Sequence, residues 1–169
     1  MRKQKGFSLI ELLIVVAIIL IIAAIAIPNL LRARIAANES SAAASVRTLG
    51  TAQISFQNAY PGTGYAGTIG VLGPADTGAC AAGPAVTNAC IIDATLAAGT
   101  KSGYTFVTTG AGGPPATTFY STAQPVTPNT TGVKGFCSAE DQVIHFQSPS
   151  AAVVASEAAC LALANILGQ

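Results

Sequence analysis

The sequence predicts an α+β protein. A long N-terminal α-helix, membrane-spanning in its first half and amphipathic in its second, packs on a small antiparallel sheet of about four strands, with a short C-terminal helix. Three observations carry this reading. Phe7 to Ile27 is predominantly apolar with one charge, Glu11, and about 20 apolar residues suffice for a helix to cross the roughly 30 Å hydrocarbon core. Beyond it, an alanine-rich stretch keeps a helical stripe as far as about Asn58. Finally, four short runs of β-branched and aromatic residues alternate with glycine and proline turns before a closing alanine-rich segment.

The elements follow in order. Residues 1–6 form a short leader holding Arg2, Lys3 and Lys5. Positive charge beside a span stays on the cytoplasmic side, so the chain after Ile27 is expected to be exported. A secretory signal is cut after its apolar region at small residues, and Pro28-Asn29-Leu30-Leu31 offers no such site, so the apolar segment is expected to remain. Glu11 is the anomaly. An acid inside a span costs about 2.5–3.5 kcal/mol even on the lenient insertion scale. On the residues alone it is either protonated or reaching for the nearby interface.

The span is assigned to residues 7–31 and the amphipathic half to residues 32–58. Ala33, Ala36, Ala37 and Ala42 to Ala44 favour helix, and Val46, Leu49 and Phe56 mark its apolar stripe. At 1.5 Å per residue the whole helix would be roughly 75 Å long. Pro28 is expected to kink or loosen it, because proline cannot donate to the carbonyl of Ala24, and Gly50 is a second weak point. Arg32, Arg34, Glu39 and Arg47 read as a solvated face. Tyr60-Pro61-Gly62 stops the helix. The head then occupies residues 59–169.

Within the head, residues 59–100 read as a long Gly-, Pro-, Ala- and Thr-rich loop. Residues 101–147 carry the sheet, with strand patterns at Tyr104–Thr109, Thr117–Thr122, Gly135–Ser138 and Gln142–Phe146. Residues 148–169 are expected to form the C-terminal helix, with Ser148 as N-cap, Pro149 at the first helical position and Gly168 as stop.

One part of this pattern is specific. Lys5-Gly6-Phe7-Ser8-Leu9-Ile10-Glu11-Leu12-Leu13-Ile14-Val15-Val16-Ala17-Ile18-Ile19 resembles the processing and assembly signature of the type IV filament superfamily, the bacterial type IV pilins and the type II secretion pseudopilins. Pro28 falls where that family has its helix proline. The resemblance implies cleavage between Gly6 and Phe7 by a prepilin peptidase, N-methylation of Phe7, and a partner for Glu11 in the terminal amine of a neighbouring subunit. It further implies an inner-membrane subunit with a cytoplasmic N-terminus, packed later among copies of itself in an extracellular filament, with an inner-membrane assembly platform and a cytoplasmic ATPase as partners. A looser likeness to the head of one group of pilins covers Lys101–Phe106, Pro125 and Gly132–Phe136, although Gln142 stands where that group often turns on glycine. A closing helix also departs from the simplest pilin heads. The alternatives are a secretion pseudopilin or a minor pilin that binds surfaces or DNA.

Composition agrees with a structural role. With the leader removed, five basic residues face seven acidic ones, a formal −2, so nucleic acid is not expected as a bulk partner. Cys80, Cys90, Cys137 and Cys160 all lie on the exported side, where disulfides form. Four cysteines permit three pairings. The expected set is Cys80 with Cys90, closing the loop locally, and Cys137 with Cys160, tying the terminal helix to the sheet. Zinc is disfavoured by the wide spacings and the single His145.

No cofactor and no enzyme activity are expected. Gly62-Thr63-Gly64-Tyr65-Ala66-Gly67 spells a dinucleotide fingerprint but follows a helix end instead of a strand. Gly110 to Gly113 lacks the Lys-Ser/Thr of a phosphate loop. His145 has no identifiable triad partner. Glu140-Asp141 is too small an acidic group for calcium, which takes six to eight oxygens, and a secretion pseudopilin usually has such a site.

Overall fold

The computed structural model describes residues 8–74, 79–150 and 154–168. The expected leader, the Gly6–Phe7 pair and the first residues of the alanine-rich C-terminal run, 151–153, lie outside the described residues. The chain divides into two compact units, Met1–Arg34 and Ile35–Gln169.

Helix α1 covers Leu9–Ala59 and is helical without interruption through Pro28 and Gly50. A proline removes one N–H from the ladder, and here the bonds on either side carry the helix past it. In the second unit α1 buries Ala42, Ala43, Val46, Leu49, Ala52, Gln53 and Phe56. Those positions recur every three to four residues and so share one face. Gly50 lies on this face for a packing reason, since a Cβ there would overlap the Gln142 carboxamide.

The sheet has six strands, not four. β1 (Thr100–Lys101), β2 (Tyr104–Ala111), β3 (Thr118–Pro125), β4 (Gly135–Ala139), β5 (His145–Gln147) and β6 (Asn165–Ile166) form an antiparallel meander in that order. β1 and β6 escape the sequence because two residues show no alternation. Register sets the faces: Phe106 pairs with Ala123 and Ala123 with Phe136, and all three join the α1 core. The next position, Cys137, turns to the opposite face with Val154 and Cys160. β4 is therefore buried along its whole length, as a strand covered on both sides should be.

Two expectations need correction. The segment before β1 is not a bare loop. It holds α2 (Ile69–Leu72), a 3-10 turn at Ala79–Ala82 and α3 (Ala94–Ala97), and it places Ala66, Leu72, Ala89, Ile92 and Leu96 in the main core. Single turns contain too few residues to show a helical period. Asp93 caps α3 by accepting from the Leu96 N–H at 2.8 Å, and that bond, helped by Lys101, holds its carboxyl below the usual range.

The C-terminal helix is also shorter than expected. α4 is Glu157–Leu161, and its N-cap is Ser156, which accepts from the Ala159 N–H at 3.1 Å. Ser148 and Pro149 do not start it. The Ser150 N–H donates to Val133 O at 2.7 Å and its hydroxyl to Gln124, so this stretch is tied alongside the sheet. Gln142, expected in a strand, sits in a turn at φ +56° with its N–H bonded to Ala139 O.

Gln53 is the one large polar side chain in the α1 face, and it is fully buried. Its Oε1 accepts from the Ala66 N–H at 2.8 Å, and its Nε2 donates to Ala66 O at 3.0 Å and Thr108 Oγ1 at 2.9 Å. Thr108 in turn meets Ser121 Oγ across β2 and β3 at 2.7 Å. Helix, loop and sheet are thus fixed to one another by a network in which each member has a partner, the arrangement that makes buried polar groups tolerable. Gln53→Ala should destabilise the protein by about 3 kcal/mol, because it strands buried groups of Ala66 as well as opening a cavity. Denaturant unfolding of the detergent-solubilised chain, read by near-ultraviolet circular dichroism, measures this. A loss under about 1 kcal/mol would show that water replaces the carboxamide.

Candidate functional site

The candidate site is the N-terminal part of α1. From Leu9 to Leu31 its large side chains lie open, Leu9 at 77% and Leu30 at 70% exposed, and nothing among the described residues covers the apolar window. An all-round apolar helix with no cover of its own belongs in a bilayer or among other helices.

Glu11 lies in the first turn. Ser8 precedes the helix, and its backbone N–H donates to Glu11 Oε2 at 3.1 Å. This is the return half of a capping box, in which an acid three residues into the helix satisfies the N–H of the cap residue. The acid therefore has a local role, engaging one of its oxygens. No ion pair reaches Glu11 among the described residues. Gly6 and Phe7 lie outside those residues, so the amine expected to meet Glu11 has no described position.

On the second half of α1, Glu39, read as solvated from the sequence, is engaged, and so is its neighbour Asn38. Glu39 Oε1 accepts from the consecutive Val133 and Lys134 N–H groups at 2.9 and 3.1 Å, and its Oε2 lies 3.8 Å from Lys134 Nζ. Asn38 Nδ2 donates to Thr131 O at 2.9 Å. Together they fasten the loop between β3 and β4 to α1. Below them the Tyr104 hydroxyl donates to Lys134 O at 2.9 Å. Burial, and after it the Glu39 charge, raise its pKa above the ordinary tyrosine range. Sequence could not find these partners, which lie more than 90 positions away. Arg32, Arg34 and Arg47 remain exposed.

Cys80 is joined to Cys90 and Cys137 to Cys160, with Cα atoms 5.9 Å apart in each pair. Their surroundings differ. Cys137 and Cys160 are fully buried, whereas Cys80 is exposed. His145 is buried and does have an acidic neighbour: its Nε2 lies 3.2 Å from Asp141 Oδ2, while Nδ1 donates to Leu163 O at 2.9 Å. A carbonyl stands where a catalytic dyad would present a nucleophile, so the ring links β5 to the C-terminal segment. Gly64, in the glycine-rich stretch, has φ +77° and backs onto the Ala116 backbone. That close contact explains the glycine without a phosphate. Among the described residues no group of three or more His, Cys, Asp or Glu side chains could hold a metal.

Residues 1–27 match the family described as the prokaryotic N-terminal methylation motif. Over 60 residues the chain is 52% identical to the type IV wide pilus major component PilA4 of Thermus thermophilus, an alignment covering 36% of this chain and 43% of that protein. Over 54 residues it is 52% identical to the type IV major pilin protein PilA of Myxococcus xanthus, covering 32% of this chain and 24% of the relative.

The N-terminal region is similar to type IV pilins.

The likeness spans less than half the length of either pilin, and no solved structure matches the chain. The match to the methylation motif overlaps the uncovered helix, and the head stands on its own geometry.

Exposure orders the two disulfides. Exposed disulfides are the labile ones. Stepwise reduction with trapping of free thiols and peptide mapping should open Cys80–Cys90 first, leaving Cys137–Cys160 closed until the head unfolds. Losing the buried bond should cost about 3 kcal/mol. The reverse order, or cross-linked peptides joining Cys80 to Cys137, would contradict the arrangement.

Proposed function

We propose that this chain is a structural subunit of a type IV pilus, without enzyme activity, cut between Gly6 and Phe7 by a prepilin peptidase and polymerised through its N-terminal helix. Before assembly it is held in the bacterial inner membrane with its N-terminus in the cytoplasm; afterwards it forms part of an extracellular filament of its own copies. The inner-membrane platform and the cytoplasmic ATPase of pilus assembly act on it. One observation carries the reading: the pilin-type N-terminal region is an apolar helix that its own chain leaves uncovered, with a single acid near its start.

The physics of that acid gives the mechanism. A helix already in lipid gains little hydrophobic free energy on entering an apolar filament core, so assembly rests on packing and on polar pairing. Among the described residues Glu11 holds only the Ser8 N–H. An ammonium group released at Phe7 of a neighbour offers it a charged partner, and a buried carboxylate is tolerated when so paired. Because the acid and the amine belong to different copies, the pair also fixes the axial step between subunits.

Glu11→Ala should therefore insert and be cut normally, yet fail to enter filaments when it is the only subunit present. Membrane pool and sheared filaments of cells expressing the variant are compared by immunoblot. Filament yield within about twofold of the parent would contradict the pairing role, and accumulation of uncut chain would place Glu11 in processing instead.

A further inference from the structure

The charges bordering the apolar helix are placed by length. Between Glu11 and Arg32 the residues Leu12 to Leu31 carry no charge at all. Those twenty positions, at 1.5 Å each, span roughly 30 Å, the thickness of the hydrocarbon core. With Glu11 at the cytoplasmic boundary, Arg32 and Arg34 stand at the opposite one.

Both arginines are exposed and neither forms an ion pair among the described residues. No acid lies between Glu11 and Glu39 in the sequence. Glu39 itself is taken by the Val133 and Lys134 amides. Two residues apart on a helix, the side chains differ by roughly 3 Å in height and point to roughly opposite sides. They cannot share one partner, but they can each meet one in the same plane. What surrounds a helix at that depth is a layer of phosphates, and the guanidinium fork matches phosphate oxygens bidentately.

Resting on the proposed membrane-anchored pilin, we propose that Arg32 and Arg34 form a two-sided clamp on anionic phospholipid headgroups at the exported face of the bilayer, setting the depth of the unassembled subunit. The clamp holds the span level while Glu11 waits near the opposite face. It has to be released when the subunit leaves for the filament.

The test uses the full chain reconstituted in phosphatidylcholine vesicles containing phosphatidylglycerol, with each lipid spin-labelled in turn. The fraction of label immobilised by the protein should favour phosphatidylglycerol by roughly threefold at low salt. Raised salt should bring the preference close to parity, and the Arg32→Gln/Arg34→Gln variant should lower it clearly below the parent at low salt. Lys101→Gln, which removes a cation from the head, should leave it unchanged. Leader cations are present in every chain compared, so the difference belongs to the two arginines. An equal preference in parent and double variant, with lipid still immobilised, would overturn the clamp alone. No immobilised lipid of either kind would overturn the membrane span and the clamp with it.

Discussion

The governing constraint is an apolar helix that its own chain leaves bare. From Leu9 to Leu31 the side chains of α1 have no cover, and each large aliphatic side chain left in water forgoes about 1.5–3 kcal/mol. Such a segment is suited to lipid or to the company of other helices. On the proposed function, the N-terminal region meets both environments in turn. Glu11 accepts locally from the Ser8 N–H, and on that reading meets a stronger partner later. Two arginines begin where an apolar core thickness ends.

The head is held in one register on the second half of α1. Its fastening to the second half of α1 is more than apolar area. Gln53 bonds to loop and sheet, Glu39 receives two backbone amides from the loop between β3 and β4, and Asn38 adds a third bond to that loop. These bonds are directional, so they fix the register of helix on sheet in a way that alanine and leucine contacts alone do not. On the other face of the sheet, the Cys137–Cys160 bond and His145 hold the C-terminal segment where the short helix α4 buries little.

How much of this was legible depended on the range of the interaction. The apolar run, the stripe of Val46, Leu49 and Phe56, and the four longer strands are written in neighbouring residues, and all are present. The strands β1 and β6 are too short to leave a pattern. Ser148, Pro149 and the alanines after them read as the start of the C-terminal helix, but Ser156 supplies a later N-cap and Asn165–Ile166 pairs with β5. Glu39 looked solvated because its partners lie far along the chain. Gln53 did leave a signal: a large polar residue on the apolar face between Leu49 and Phe56 marks a buried bond.

Whether this chain, once processed, builds a filament through its bare helix is decided by the intact mass of the dominant protein in filaments sheared from the producing cells. This chain should be the main component, beginning at N-methylated Phe7 and carrying two disulfides. Filaments made of another protein, with this chain retained in the membrane and still beginning at Met1, would contradict the filament role.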